Sequence, residues 1–498
     1  MEAKFIQNTL HCLRTVISQV HTGEQTQEIR LPDAYPDIGK ILGCWGQVLI
    51  RGKEWRGNGL GANGGVMAFV LYAPEDGTQP RVVDAWIPIQ CRWEIPDDSE
   101  DGVMHLLPKL SNLDCRGISA RKIMVRATVD TFAQGLNRQS VNIAAPGQLP
   151  EDVQLLKRNY PVELPMEAGE KQVQIEERLS LPGDLPPIHK LIQYNLSPGI
   201  SEQKVIGNRL VFRGQSELDL LYMTEDGEFH SWQTELPFSQ FTELDRDYSH
   251  QAAAWVLPVL TAMEMDLTDG ELNLRGGIAA QYTIFDQEML ELVEDAFSPY
   301  RSIRITTEQL QLPMLLDRVE LEIPVEASVE TDAEKVISGT VFGTYPFLVT
   351  KSEAMEMDVD GHLQIVGENA QGLPTGESGR FSVSVPYATA GENQNILWAG
   401  TMPQPEFVTS GDRVTFKGKY PVSVYVYSTG TIPMITELEM GELREQDPSR
   451  PSLILRRAGQ ESLWDLAKNY GSTIDAIQKA NQLTGEPVSG KMLLIPVC

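Results

Sequence analysis

The sequence predicts a mostly β chain in which three tandem β-sandwich-like repeats are followed by a small βααβ domain. Three observations carry this. Segments such as Val422-Ser423-Val424-Tyr425-Val426-Tyr427 alternate with period two and are rich in β-branched and aromatic residues, the pattern of half-buried strands. Four pieces recur 150 positions on: Leu31-Pro32 as Leu181-Pro182, Ile38-Gly39-Lys40 as Ile188-His189-Lys190, Leu71-Tyr72 as Leu221-Tyr222, and Leu107-Pro108 as Leu257-Pro258. One shared register marks a duplicated unit of domain size. From Leu453 to Val497 the period then changes to that of a strand, two short helices and a strand.

Taken in order, Phe5, Ile6, Leu10, Leu13, Ile17 and Val20 stand at near-helical spacing and predict an amphipathic helix of about four turns, docked on its own scaffold or on a partner. The first β domain completes residues 1–150, the second spans 151–300 and a third, divergent one spans 301–441. Boundaries are expected at Gly147 to Glu151 and Ser298 to Arg301, with an exposed linker over 442–451 before the last domain at 452–498. Glu75-Asp76-Gly77, Glu225-Asp226-Gly227, Thr268-Asp269-Gly270 and Asp360-Gly361 read as turns between strands. Met263-Glu264-Met265-Asp266 returns as Met355-Glu356-Met357-Asp358, and Asn208 to Gly214 resembles Asp412 to Gly418, at offsets of 92 and 204. Those offsets suggest two similar halves per unit, each with a strand ending near Gly214, Gly276 or Gly418.

Composition bounds the function. No run approaches the ~18 apolar residues of a membrane span, and the start Met1-Glu2-Ala3-Lys4 lacks the apolar stretch of an export signal. A protein kept in the cytoplasm, with no transmembrane segment, is expected. The formal charge of −28 repels phosphate backbones, so nucleic acid is not an expected partner. The acidity belongs to the repeats, since from Pro451 onward five basic residues face four acidic ones. Five cysteines (Cys12, Cys44, Cys91, Cys115, Cys498) form no CxxC pair and read as reduced thiols.

No catalytic, cofactor or metal site is expected. Gly59-Leu60-Gly61-Ala62-Asn63-Gly64 matches GxGxxG, but a strand pattern follows where a helix N-terminus is needed; Gly57 to Gly65 reads as a mobile hairpin insertion. The carboxylate pairs Glu75-Asp76 and Glu225-Asp226 sit at hairpin tips. The seven histidines show no HxxxH spacing, and no GxSxG elbow or P-loop occurs.

In the last stretch, Ser462 and Asp465 have capping-box spacing, Leu463, Leu466 and Ala467 form an apolar stripe, and Gly471 suits a left-handed helix stop. Ile474, Ile477 and Ala480 mark the second helix. With Ser462-Leu463-Trp464, Tyr470-Gly471 and Ala480-Asn481 at their spacing, the stretch resembles a LysM domain, a βααβ module that binds N-acetylglucosamine polymers. It departs at Gly459-Gln460, where Gly-Asp is usual, and at Val488-Ser489-Gly490-Lys491, where Pro-Gly-Gln is usual. The resemblance implies a binding surface of Gly459, Gln460, Glu461, Ser462, Trp464, Gln482, Leu483, Thr484, Gly485 and Glu486.

Leu31-Pro32-Asp33-Ala34-Tyr35-Pro36-Asp37-Ile38-Gly39-Lys40-Ile41-Leu42 resembles the signature of the SPOCS family of spore coat assembly proteins. The second unit has Pro187 where Asp37 stands, and the third lacks the motif. Repeated SPOCS-like units before one LysM domain resemble the clostridial spore coat morphogenetic proteins. That resemblance implies a mother-cell adaptor at the forespore surface, with the LysM domain on the coat basement-layer ATPase and the repeats on other coat proteins. The other reading is a peptidoglycan-binding protein of wall or cortex.

Overall fold

The computed structural model describes residues 2–3, 5–95, 102–351, 354–389, 394–400, 406–443, 451–486 and 489–497. After the short β1 (Glu2–Ala3), the strands group into three units with one pairing order. In the first, β2 (Phe5–Arg30), β7 (Lys122–Pro146) and β6 (Val103–Ser119) form one antiparallel sheet. Between β2 and β6 in the chain lies a meander of β3 (Ile38–Arg56), β4 (Gly59–Pro74) and β5 (Arg81–Glu94). The second unit repeats this, with β8 (Gln154–Leu179), β13 (Glu271–Phe297) and β12 (Ala253–Thr268) in one sheet and β9 (Lys190–Ile206), β10 (Arg209–Met223) and β11 (Phe229–Glu243) in the meander.

In the third unit β14 (Arg301–Glu330) pairs with β20 (Arg413–Leu443), whose other edge takes β18 (Gln394–Gly400) and β19 (Glu406–Ser410). Its meander is β15 (Lys335–Lys351), β16 (Ala354–Glu368) and β17 (Pro374–Thr389). The topology therefore outlasts the sequence motif. β1 pairs with β20, so the start of the chain is bonded to the end of the third unit.

The duplication reaches single atoms. Tyr72 donates its hydroxyl to the Pro36 carbonyl at 3.0 Å and Tyr222 to Pro186 at 3.1 Å. Gly57 and Gly207, at φ 55° and 59°, turn the equivalent hairpins, where a side chain would be strained. The three turns at Gly77, Gly227 and Gly270 form as expected, each glycine having positive φ.

The units do not stand in a row; each touches the other two. Gln281 of the second accepts from Leu106 N–H and donates to Leu106 O, both at 2.8 Å, while His105 meets Thr283 at 2.8 Å. Gln364 of the third donates to Leu42 O at 3.3 Å, and Lys109 pairs with Asp360. Tyr425 donates to Ala254 O at 3.0 Å and stacks on Phe285. Trp45, Trp255 and Trp398, one from each unit, are buried in a single apolar cluster.

Several expectations are corrected. Phe5 to Val20 is no helix but part of β2, hydrogen-bonded along β7, and a bulge between Thr15 and Ile17 breaks the alternation into helix-like spacing. Gly57 to Gly65 is no insertion: from Gly59 on it is the central strand of its meander. A Cβ on Gly64 would stand 2.1 Å from the Leu49 carbonyl, and one on Gly65 2.4 Å from the Trp86 ring, so the glycines admit close neighbours. Asp360-Gly361 is not a turn but mid-strand in β16, Asp360 standing between Tyr345 and Ser382 and Gly361 opposite Phe381. Gly214, Gly276 and Gly418 likewise lie within β10, β13 and β20 rather than at strand ends. Of the pieces related by offsets of 92 and 204, Met263 to Asp266 lies near the end of β12 and Met355 to Asp358 near the start of β16, whereas Arg209 to Gly214 and Arg413 to Gly418 both open the strand that follows a hairpin glycine, β10 and β20. Residues 444–450 of the expected linker, and Cys498, lie outside the described residues. No described helix is long and apolar enough to cross a membrane.

Candidate functional site

The C-terminal domain is built from β21 (Leu453–Arg457), α1 (Leu463–Tyr470), α2 (Ile474–Asn481) and β22 (Met492–Pro496). At the start of α1 the Ser462 hydroxyl accepts from Asp465 N–H at 3.1 Å, and the Asp465 carboxylate accepts from Ser462 N–H at 3.1 Å. This reciprocal capping satisfies two otherwise unpaired donors. The Ser462 hydroxyl and amide hold the Asp465 carboxyl below its ordinary value. Gly471, at φ 61°, ends the helix, while Gln482 takes the same left-handed conformation after α2 without being glycine. Leu463, Leu466, Ala467, Ile477, Leu493 and Ile495 form the core between helices and sheet.

The two expected binding loops are brought side by side. Ala458 N–H donates to Lys491 O and Gly490 N–H to Ala458 O, both at 2.7 Å. Glu486 reaches across to accept from Leu463 N–H at 2.8 Å, placing its charge at a helix N-terminus. Gly459, Gln460, Gln482, Thr484, Gly485 and Glu486 are exposed there, and Glu461, Ser462 and Leu483 are half-buried. Glu461 is held by both its oxygens on Arg456, at 2.9 and 2.6 Å, and Arg456 lies 5.2 Å from the Tyr470 ring centre. The open groups are thus backbone, amide and hydroxyl, suited to hydroxyl and acetamido partners, with no described cluster able to hold a metal.

Trp464 is elsewhere. It is only 5 % exposed, its indole N–H donates to Asp295 at 2.8 Å, and its ring meets Phe297 edge-on at 4.8 Å. Lys468 joins it on the same carboxylate, at 2.8 and 2.6 Å. Asp295 and Phe297 belong to β13, so Trp464 fastens this domain to the second unit instead of lining the loops.

A surface absent from the sequence expectations lies on the outer face of the two-stranded sheet. Leu455 pairs with Leu494, Leu453 with Pro496 and Arg457 with Met492. Leu453, Leu455, Met492 and Leu494 are 51, 64, 48 and 37 % exposed, while Leu493 and Ile495 point into the core. A sheet covered by helices on one side needs apolar residues on that side only. The continuous runs Leu453-Ile454-Leu455 and Met492-Leu493-Leu494-Ile495 were the available signal, and the four exposed side chains form one apolar patch.

Family models match this chain twice: SipL, SPOCS domain, over residues 187–266, and LysM domain, over residues 460–496. The first match covers the meander of the second unit and most of β12, rather than the first unit, where the motif Leu31 to Leu42 stands. Neither the curated proteins nor the solved structures hold a match. Both matched domains are binding modules, and together they indicate a sporulation-related protein with a module of the peptidoglycan-binding type. The chain is thus similar to SipL over a SPOCS domain in its second unit and to LysM domains at its C-terminal end.

Proposed function

We propose that the chain is a non-enzymatic adaptor of spore coat assembly, working in the mother-cell cytoplasm at the forespore surface. Its LysM domain docks on the coat basement-layer ATPase while the β units recruit other coat proteins. In this reading the domains divide at 1–150, 151–300, 301–441 and 452–498, with 442–451 as linker. The observation behind it is the exposed apolar face of Leu453, Leu455, Met492 and Leu494, which suits a protein surface better than a hydroxyl-rich glycan. The buried Trp464 supports the same reading, since its ring is not free to meet a sugar.

The second reading, a peptidoglycan-binding protein, draws on the adjoining loops at Gly459 to Ser462 and Gln482 to Glu486. Binding of the full chain to the purified ATPase and to insoluble peptidoglycan, measured side by side, separates the two. Retention by the ATPase alone supports the adaptor; retention by peptidoglycan alone supports the wall-binding protein and reopens the localisation.

A further inference from the structure

The internal repeat exposes a second site, independent of the LysM reading. At the junction of the first and second units, Lys53 of β3 enters the neighbouring unit. It donates to Gln281 at 2.9 Å and to the Met104 carbonyl at 3.0 Å, and pairs with Glu170. Glu170 stands opposite Gln281 in the β8–β13 ladder. The cavity around this lysine is about 290 Å³.

Strand register locates the same place one unit on. Lys53 lies three residues before the end of β3; the residue three before the end of β9 is Gln203. Counted from their hairpins, Gln281 corresponds to Ser423 of β20, and opposite Ser423 in the β14–β20 ladder stands Glu320. The carboxylate is kept and the cation is lost. The cavity here is about 620 Å³, lined by Gln203, Glu217, Trp255, Glu320 and Ser423 among others. At the third junction the carboxylate position is Val20, opposite Phe132, so no such site arises.

Glu217 supplies the second observation. It lines this cavity at 6 % exposure, and among the described residues it has neither a hydrogen-bond partner nor a cation. Burial, then Asp219 and Glu235, pushes its carboxyl up to about 7. Glu320 at the exposed rim accepts, among the described residues, only from the Ser423 hydroxyl, at 2.6 Å. Arg318, two residues along β14, lies instead 6.0 Å over the Tyr425 ring. The carboxylates do not converge as a metal cage among the described residues, and a net charge of −28 draws basic partners at long range.

We propose that this cavity between the second and third units receives a lysine side chain of a partner protein, its ammonium meeting Glu217 and Glu320 and its alkyl stem lying against Trp255. The chain itself provides that lysine at the first junction; at the second the partner completes the arrangement. To test it, the full chain is titrated with Nα-acetyl-lysine N-methylamide and its norleucine analogue by saturation-transfer NMR. The expected result is saturable binding of the lysine compound alone, weakened about tenfold or more by Glu320→Gln and by Gln203→Lys. Gln203→Lys installs the resident cation and should also raise the melting temperature, a readout independent of the probe that shows the variant folded. The proposal is overturned by absence of saturable binding, by equal binding to the Gln203→Lys variant, or by displacement of the probe by equimolar magnesium, the mark of diffuse attraction. Spermidine binding more than about a hundredfold tighter than the probe would assign the cavity to free polyamines and overturn the protein partner.

Discussion

Three buried titratable groups near unit junctions, one carboxyl and two imidazoles, give the molecule opposite pH sensitivities. Glu217 is raised from 4.5 to about 7 by burial and by the carboxylates Asp219 and Glu235. Between those values the folded chain keeps a proton that the unfolded chain releases, so stability falls as pH rises from about 4.5 through 7. Glu217→Gln should therefore stabilise the protein at pH 8, by on the order of 1–2 kcal/mol, and change little at pH 5, which thermal unfolding at both values checks. His105 runs the other way. Burial first, and Lys53 second, lower it from 6.5 to about 3, and burial first, then Arg380, lower His362 to about 4. Both stay neutral in the fold, so the stability they contribute is present above about 6.5 and is lost as pH falls toward those lowered values. Hydrogen exchange of β6 should accelerate over that range in the parent protein and less so in His105→Gln; an identical response would remove His105 from the account.

Among the elements, those with local signals were legible and those fixed by neighbours were not. Ser462, Asp465 and Gly471 announce α1 because capping is local chemistry. Ser462→Ala should cost the LysM domain about 1 kcal/mol, read as a lower midpoint for its own unfolding with the β units unchanged. Tyr72 and Tyr222 were visible as a repeat, but their hydroxyl bonds to Pro36 and Pro186 were not, since these cross from strand to loop. Each Tyr→Phe change should cost roughly 0.5–1.5 kcal/mol, by similar amounts at the two sites. The start of β2 was misread for a physical reason. Cys12 and Leu13 are both buried although strand geometry sends them to opposite faces, because neighbouring units cover both sides and a bulge shifts the phase. Thr9, Thr15, Val16, Thr22 and Thr26 were the β signal in that stretch. The glycines of β4 misled similarly, their need arising from Leu49 and Trp86 across the sheet. In the candidate site the loops were legible from LysM spacing, whereas the role of Trp464 depends on Asp295, 169 residues away.

For the whole molecule, three units of one topology share a core while the LysM domain is held at the end of β13 through Asp295 and Phe297. Deleting Pro451 to Cys498 should leave the β units folded, with unchanged strand content by circular dichroism, and abolish binding to the basement-layer ATPase. Loss of folding throughout would show that the domains depend on one another. Under the proposed adaptor role the docking surface is the outer face of β21 and β22, away from the loops that the LysM resemblance implies for a glycan. The most direct measurement is the affinity of the full chain for the ATPase with and without Leu455→Glu and Leu494→Glu, two exposed positions paired across that sheet. The account predicts a loss of about thirtyfold or more with the LysM domain still folded and peptidoglycan retention unaltered; unchanged ATPase affinity would contradict it.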